Sequence, residues 1–68
     1  MIIEEEYGND YYGNLVIENY PNLQSIFVMK NSLKNVHALK ICNCEKLKSI
    51  KIEIGAFNFI NIVMIESI

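Results

Sequence analysis

The sequence predicts a mainly β protein in which short parallel strands stack into a solenoid. One turn of helix or a tight turn is expected to join successive strands. Three observations favour this fold. Hydrophobic residues make up 51% of the 68-residue chain, and Ile is the commonest of them, a composition typical of strands with a packed interior. Apolar residues recur in pairs two positions apart, and the chain is similar to itself at an offset of 24 residues.

The self-similarity is clearest where NLVIENYPNLQSI, residues 14–26, is aligned with ALKICNCEKLKSI, residues 38–50. The alignment superposes Leu15 on Leu39, Ile17 on Ile41, Asn19 on Asn43, Leu23 on Leu47, Ser25 on Ser49 and Ile26 on Ile50. A further step places Val63 and Ile65 on Leu39 and Ile41, and a step back places Ile26 on Ile2.

The chain, residues 1–68, is predicted to form one small domain, and the 24-residue spacing divides it into repeat units. Residues 1–14 form an irregular end unit, 15–38 and 39–62 are two repeats, and 63–68 begin a truncated repeat. The end unit is irregular because it lacks apolar residues at positions where the later units have them. Asn9 and Tyr12 stand where the later units have Leu33 or Phe57 and Val36 or Ile60.

Each complete unit should contribute two short strands. Leu15 with Ile17 and Ile26 with Val28 each share one face of a strand, since side chains alternate at period two. Leu33 and Val36 lie three apart, which indicates one helical turn or a tight turn between strands. Further corners are expected at two places, Pro21 with Asn22 and Gly55.

The residues Leu39, Ile41, Cys44 and Leu47 form a pattern that resembles the leucine-rich repeat consensus in its cysteine-containing form. The stretch LKSIKIEIGAFNFINIVMI also resembles the BspA-like repeat class. The resemblance covers nearly all of the chain after Asn14 and implies a solenoid scaffold, without implying a particular activity. Tyr20 departs from the consensus, because it would have to fit a phenol into the turn where Cys44 stands in the next unit.

The two cysteines raise the alternative of a metal or redox site. In the predicted strand, Leu39 and Ile41 point inward, so Cys42 should point out and Cys44 should return to the interior. Two cysteines with His37 do not supply the four ligands of a structural zinc site. We therefore predict no metal and no cofactor, and interpret His37 as a solvated turn residue.

Charge and hydropathy exclude several classes of protein. The chain has six basic residues, all Lys, and eight acidic ones, so no basic surface for nucleic acid is expected. The run Glu4 to Glu6 is interpreted as a solvated strand end, with cation binding as the alternative. No apolar run is long enough to span a membrane and the amino terminus lacks signal-peptide features, which favours the cytoplasm unless the chain is a piece of a longer protein.

The outward residues of the first strand in each unit form two columns, which we predict to be the partner-binding surface. The columns are Val16, Lys40 and Met64, and Glu18, Cys42 and Glu66. Solenoids commonly present such columns to a partner. The four tyrosines, Tyr7, Tyr11, Tyr12 and Tyr20, either cover the first unit or contact a partner.

No catalytic constellation is apparent, so the sequence predicts a protein that is not an enzyme. The expected function is a protein–protein interaction module. The alternative is a structural unit that assembles with copies of itself through the open ends of the solenoid, forming a homo-oligomer through its carboxyl-terminal edge.

Overall fold

The computed structural model describes residues 1–66 and contains six strands. They are β1 (Ile2–Ile3), β2 (Gly13–Glu18), β3 (Ser25–Val28), β4 (Val36–Cys42), β5 (Ser49–Ile52) and β6 (Ile62–Glu66). Turns join them, and residues 1–66 include no α-helix. The prediction of a mainly β chain is confirmed, and tight turns rather than helical turns connect its strands.

The strands form two three-stranded sheets, in the orders β1-β3-β5 and β2-β4-β6. Every neighbouring pair is parallel, because the chain alternates between the sheets and returns to each in the same direction. The predicted superposition is confirmed in the second sheet, where Ile17 pairs with Ile41 and Ile41 with Ile65. It is confirmed in the first sheet by the pairing of Ile26 with Ile50.

The two sheets enclose one hydrophobic core. Its buried members are Ile17, Ile26, Val28, Leu33, Val36, Leu39, Ile41, Cys44 and Phe57. Both sheets and the turns between them contribute to this cluster. Cys44 is only 4% exposed and its Sγ donates to the Cys42 carbonyl at 3.4 Å, so its predicted interior position is confirmed.

Left-handed backbone conformations recur at equivalent turn positions. Positive φ angles occur at Glu6, Asn31 and Gly55, at Gly8, Leu33 and Phe57, and at Asn19 and Asn43. Backbone hydrogen bonds tie successive turns together, as where Phe57 donates to the Ser32 carbonyl at 3.1 Å. The turns are thus tight reversals whose backbones stack on one another along the molecule.

The alignment of the first unit requires two corrections. Ile2 pairs with Phe27 rather than with Ile26, so this strand is shifted by one position and Ile2 is exposed. The turn is shifted likewise: Leu33 donates to the Tyr7 carbonyl as Phe57 donates to that of Ser32, which makes Gly8 the equivalent of Leu33.

Tyr11, not Tyr12, donates to the Gly8 carbonyl, as Val36 donates to that of Leu33. The assignment of Asn9 and Tyr12 to these positions was therefore wrong. The register returns to an offset of 24 after an irregularity between Gly13 and Asn14.

Two further predictions concern Tyr20 and the last unit. Tyr20 does not place its ring in the interior; 49% of the residue is exposed, since the phenol is too large for the site that Cys44 fills in the next unit. The start of a further repeat at 63–68 coincides with β6 as far as Glu66. Residues 67–68 lie outside the described part of the chain.

Candidate functional site

The outer face of the β2-β4-β6 sheet carries the first predicted column. Val16 pairs with Lys40 and Lys40 with Met64, so the three side chains lie side by side across the sheet. Val16 is 49% and Met64 48% exposed, and Lys40 is exposed as well. The structure therefore brings together the column that the alternation of strand residues predicts.

A shallow depression of about 250 Å³ lies along this column. Its lining comprises Asn14, Leu15, Val16, Ala38, Leu39, Lys40, Ile62 and Met64. Asn14, Ala38 and Ile62 form another row, two positions before the predicted column. Sequence reasoning missed this row, although continuing the same alternation by one step would have identified it.

The depression owes its shape to the difference in size between its rows. Ala38 lies between Asn14 and Ile62 and has only a methyl group, while Val16, Lys40 and Met64 are longer. The side chains that line it are mostly apolar, and Lys40 is the one charged residue among them. Such a site suits an apolar side chain of a partner whose neighbouring group is acidic.

The second predicted column is Glu18, Cys42 and Glu66, which also lie in register. The Cys42 Sγ donates to Glu18 Oε2 at 3.5 Å. Cys42 lies on the outer face, as the alternation predicts, but it is only 7% exposed, so its thiol is covered. The Glu18 carboxylate, in the neighbouring strand, contacts the thiol and contributes to this burial.

The environment of Cys42 makes its thiol a weak acid. Burial raises the pKa of Cys42 above the ordinary value of 9.0, and the hydrogen bond and negative charge of Glu18 raise it further. Lys40 lowers the pKa and thus opposes this shift, whereas Glu66 adds to it. The thiolate is the reactive form of cysteine, so Cys42 is poorly suited to act as a nucleophile at neutral pH.

A second cavity, of about 550 Å³, opens at the amino-terminal end. It is lined by Tyr7, Gly8, Asp10, Tyr11, Leu15 and Leu33. Gly8 stands where the later units place Leu33 and Phe57, and the Leu33 side chain lies where a Cβ on Gly8 would be. The buried Leu33 side chain thus forms part of the cavity wall, together with Tyr7 and Tyr11, which are 64% and 47% exposed.

The remaining candidate groups are dispersed. His37 and the carboxylates of Glu4, Glu5 and Glu6 are exposed. Among the described residues, no three His, Cys, Asp or Glu side chains come together in a way that could hold a metal ion. Both cysteines are free thiols.

Comparison of the chain with models of known families found no match, and comparisons with curated proteins and with solved structures found none either. Within residues 1–66, no helix has the length and apolar character needed to cross a membrane.

Proposed function

We propose that the chain is a short solenoid of the leucine-rich-repeat type. The proposal is supported by the parallel pairing of residues 24 positions apart, as between Leu15 and Leu39. The left-handed positions that recur in successive turns, Asn19 and Asn43 among them, also support it. A stack in which every unit contacts only its neighbours is the defining property of solenoids.

The function we propose for this scaffold is protein binding without catalysis, through the outer face of the β2-β4-β6 sheet. The observation that supports this proposal is the depression on that face. It lies between two rows of side chains, one formed by Asn14, Ala38 and Ile62 and the other by Val16, Lys40 and Met64. A partner would insert an apolar side chain there and place an acidic group against Lys40. Glu18 and Glu66 would form the polar rim of the interface.

The proposed binding needs no cofactor, and we propose a cytoplasmic location for the protein. The two free thiols suit a reducing compartment, where disulfides are rare.

Site-specific photo-crosslinking tests this function. A photo-reactive amino acid at position 40 lies at the centre of the outer face, while one at position 46 occupies an exposed turn beyond β4. In cells that produce the protein, position 40 should give a discrete cross-linked species containing a second protein, and position 46 should not. Identical adducts from both positions would count against a binding site on this face.

A substitution in the depression provides a second readout. Ala38→Leu fills the space between Asn14 and Ile62, so the adduct at position 40 should weaken while the circular dichroism spectrum stays the same. Lys46→Leu is the matched control. An adduct of unchanged yield in the Ala38→Leu variant would show that the cross-linked partner does not bind in the depression.

A second candidate function is assembly with copies of the same chain, and the exposure of β6 favours it. Ile62, Val63, Met64 and Ile65 are each about half exposed, between 48% and 56%. Residues at the equivalent inward positions of β4, Leu39 and Ile41, are 3% and 1% exposed. An apolar strand with one open edge is a template for pairing with another chain.

A further inference from the structure

We infer that copies of this chain associate head to tail, with β6 of one copy pairing in parallel with β2 of the next and β5 pairing with β1. The inference rests on the self-assembly candidate and specifies its interface. In this arrangement, strands of two copies pair edge to edge in the same way as neighbouring strands pair within one chain.

The free edges are the starting point. Within residues 1–66, β6 pairs only with β4 on one side, and β2 pairs only with β4 on its own inner side. The open edge of β6 leaves Val63 and Ile65 54% and 56% exposed. Covering these side chains would remove apolar surface from water, which is the main favourable term in association.

The register of the new pair follows from the pairing inside the chain. Strand β4 accepts β2 on one edge and β6 on the other with the same offset of 24. Extending that register places Val63 beside Leu15 of the next copy, and Ile65 beside its Ile17. Apolar side chains would thus continue the interior column from one copy into the next.

The other sheet can pair at the same time. Phe27 pairs with Ile2 on one side and with Lys51 on the other, while Val28 pairs with Ile3 and Ile52. Continuing these rows places Lys51 beside Ile2 of the next copy and Ile52 beside its Ile3. Both sheets of one copy would therefore extend into the sheets of the next.

The chain between the two sheets also fits. Ile3 pairs with Val28, 25 positions later, whereas Asn14 pairs with Ala38, 24 positions later. The first unit thus has one more residue than the second between its strands, and the register is irregular where they meet, since Gly13 pairs with Val36 at an offset of 23 before Asn14 pairs with Ala38. The same one-residue difference would arise between copies, so the proposed stack requires no irregularity that the chain does not already contain.

One pair opposes the association. In the proposed register, Glu66 of one copy lies beside Glu18 of the next, whereas within the chain Cys42 separates these carboxylates. Like charges in neighbouring strand positions are destabilising. The native chain should therefore associate weakly at neutral pH, and this pair gives the register a signature that can be measured.

Charge reversal tests the signature. Glu66→Lys and Glu18→Lys should each convert the repulsion to attraction and lower the dissociation constant about threefold to tenfold, measured by sedimentation velocity over a range of concentrations. The double variant, Glu18→Lys with Glu66→Lys, restores like charges and should return to native affinity. Additive strengthening in the double variant, or no effect of the single changes, would overturn the head-to-tail register.

Mixing of end-blocked variants tests the polarity of the interface. Val63→Lys with Ile65→Lys blocks the β6 edge. Val16→Pro blocks the β2 edge, because Asn19 donates its N–H to Cys42 and alternation turns the Val16 N–H to the open side. Each variant alone should be monomeric, and an equimolar mixture should form a dimer of one copy of each.

The outcomes separate the register from the proposed functions. A mixture that stays monomeric while the native chain associates overturns the head-to-tail arrangement but leaves self-assembly. A native chain that is monomeric at every concentration overturns both. The charge-reversal series decides the question if Val16→Pro fails to fold.

Discussion

The side-chain amide of Asn43 donates a hydrogen bond to Oδ1 of Asn19 at 2.9 Å, and both residues have left-handed backbones, with φ of 54° and 63°. They lie at equivalent corners, directly after β4 and β2. Asparagine, like aspartate and histidine, adopts the left-handed conformation more readily than other residues that have a side chain. Two features therefore explain why asparagine occurs at both of these aligned positions: the left-handed backbone and the hydrogen bond between the two side chains.

Substitutions at Asn43 should separate these two causes. Asn43→Gly keeps the left-handed backbone accessible and loses the amide hydrogen bond, a cost of about 1 kcal/mol in the free energy of unfolding. Asn43→Ala loses the hydrogen bond and adds backbone strain, for a further cost of about 1 kcal/mol. Urea denaturation followed by circular dichroism measures both. An Ala variant as stable as the Gly variant would contradict the strain argument.

Gly55 should be the glycine least tolerant of substitution by alanine. Its φ is +81°, and a Cβ there would overlap Oδ1 of Asn31 in the adjacent turn. Gly55→Ala should lower the free energy of unfolding by about 2 kcal/mol or more, from strain and steric overlap together. Gly13→Ala is the control, since φ is also positive there, at +119°, but no atom lies within 4 Å of the added Cβ.

A double variant identifies the overlapping group. Asn31→Gly removes the side chain that a Cβ at position 55 would meet, so it should recover part of the stability lost in Gly55→Ala. Recovery should be absent when Asn31→Gly is combined with Gly13→Ala. If both combinations behave alike, Asn31 is not the source of the cost.

The sequence was sufficient to predict the parallel strands and the register of all of them except β1, because that register depends on residues whose pattern is visible. Leu39 and Ile41 are two apart, and each has an apolar equivalent 24 positions away on either side. A shift of one residue would turn these side chains to solvent, so the hydrophobic effect selects the observed pairing.

The first unit could not be predicted in the same way. Gly8 takes the position of Leu33, but glycine has no side chain and leaves no mark in a hydrophobic pattern. Its role is visible only in the backbone hydrogen bonds and in its positive φ. The extra residue before Asn14 shifts the alignment, and an alignment at one fixed offset cannot detect it.

The candidate site was predicted in part for a related reason. Alternation assigns Cys42 to the outer face, but it does not show how far neighbouring side chains cover it. Burial of the thiol depends on Glu18 in the adjacent strand, whose carboxylate contacts it. The depression likewise depends on the small size of Ala38 between larger neighbours, a property of three strands together.

The assignment of faces in β4 makes a direct prediction about neighbouring residues. Ile41 is 1% exposed, so Ile41→Asp places an unpaired carboxylate in the core and should cost about 3 kcal/mol or more, enough to unfold a domain of this size. Lys40→Asp changes an exposed residue and should cost less than about 1 kcal/mol. Thermal unfolding followed by circular dichroism compares them, and equal losses would contradict the assignment.

The raised pKa of Cys42 predicts how stability changes in alkaline solution. The folded chain holds the thiol proton more tightly than the unfolded chain, in which the pKa is near the ordinary value of 9.0. Its contribution to stability is therefore fully present below about pH 9 and is lost as the pH rises through the folded-state pKa. Cys42→Ala removes this titration, so the native chain should lose more stability than the variant between about pH 8 and pH 10.

Glu18→Gln adds a graded comparison, because it removes the negative charge and the carboxylate acceptor but leaves the burial that is the largest cause of the shift. The alkaline loss should be greatest in the native chain, smaller in Glu18→Gln and smallest in Cys42→Ala. Urea denaturation at the two pH values measures the three losses. An equal alkaline loss in all three proteins would show that the Cys42 proton is not linked to folding.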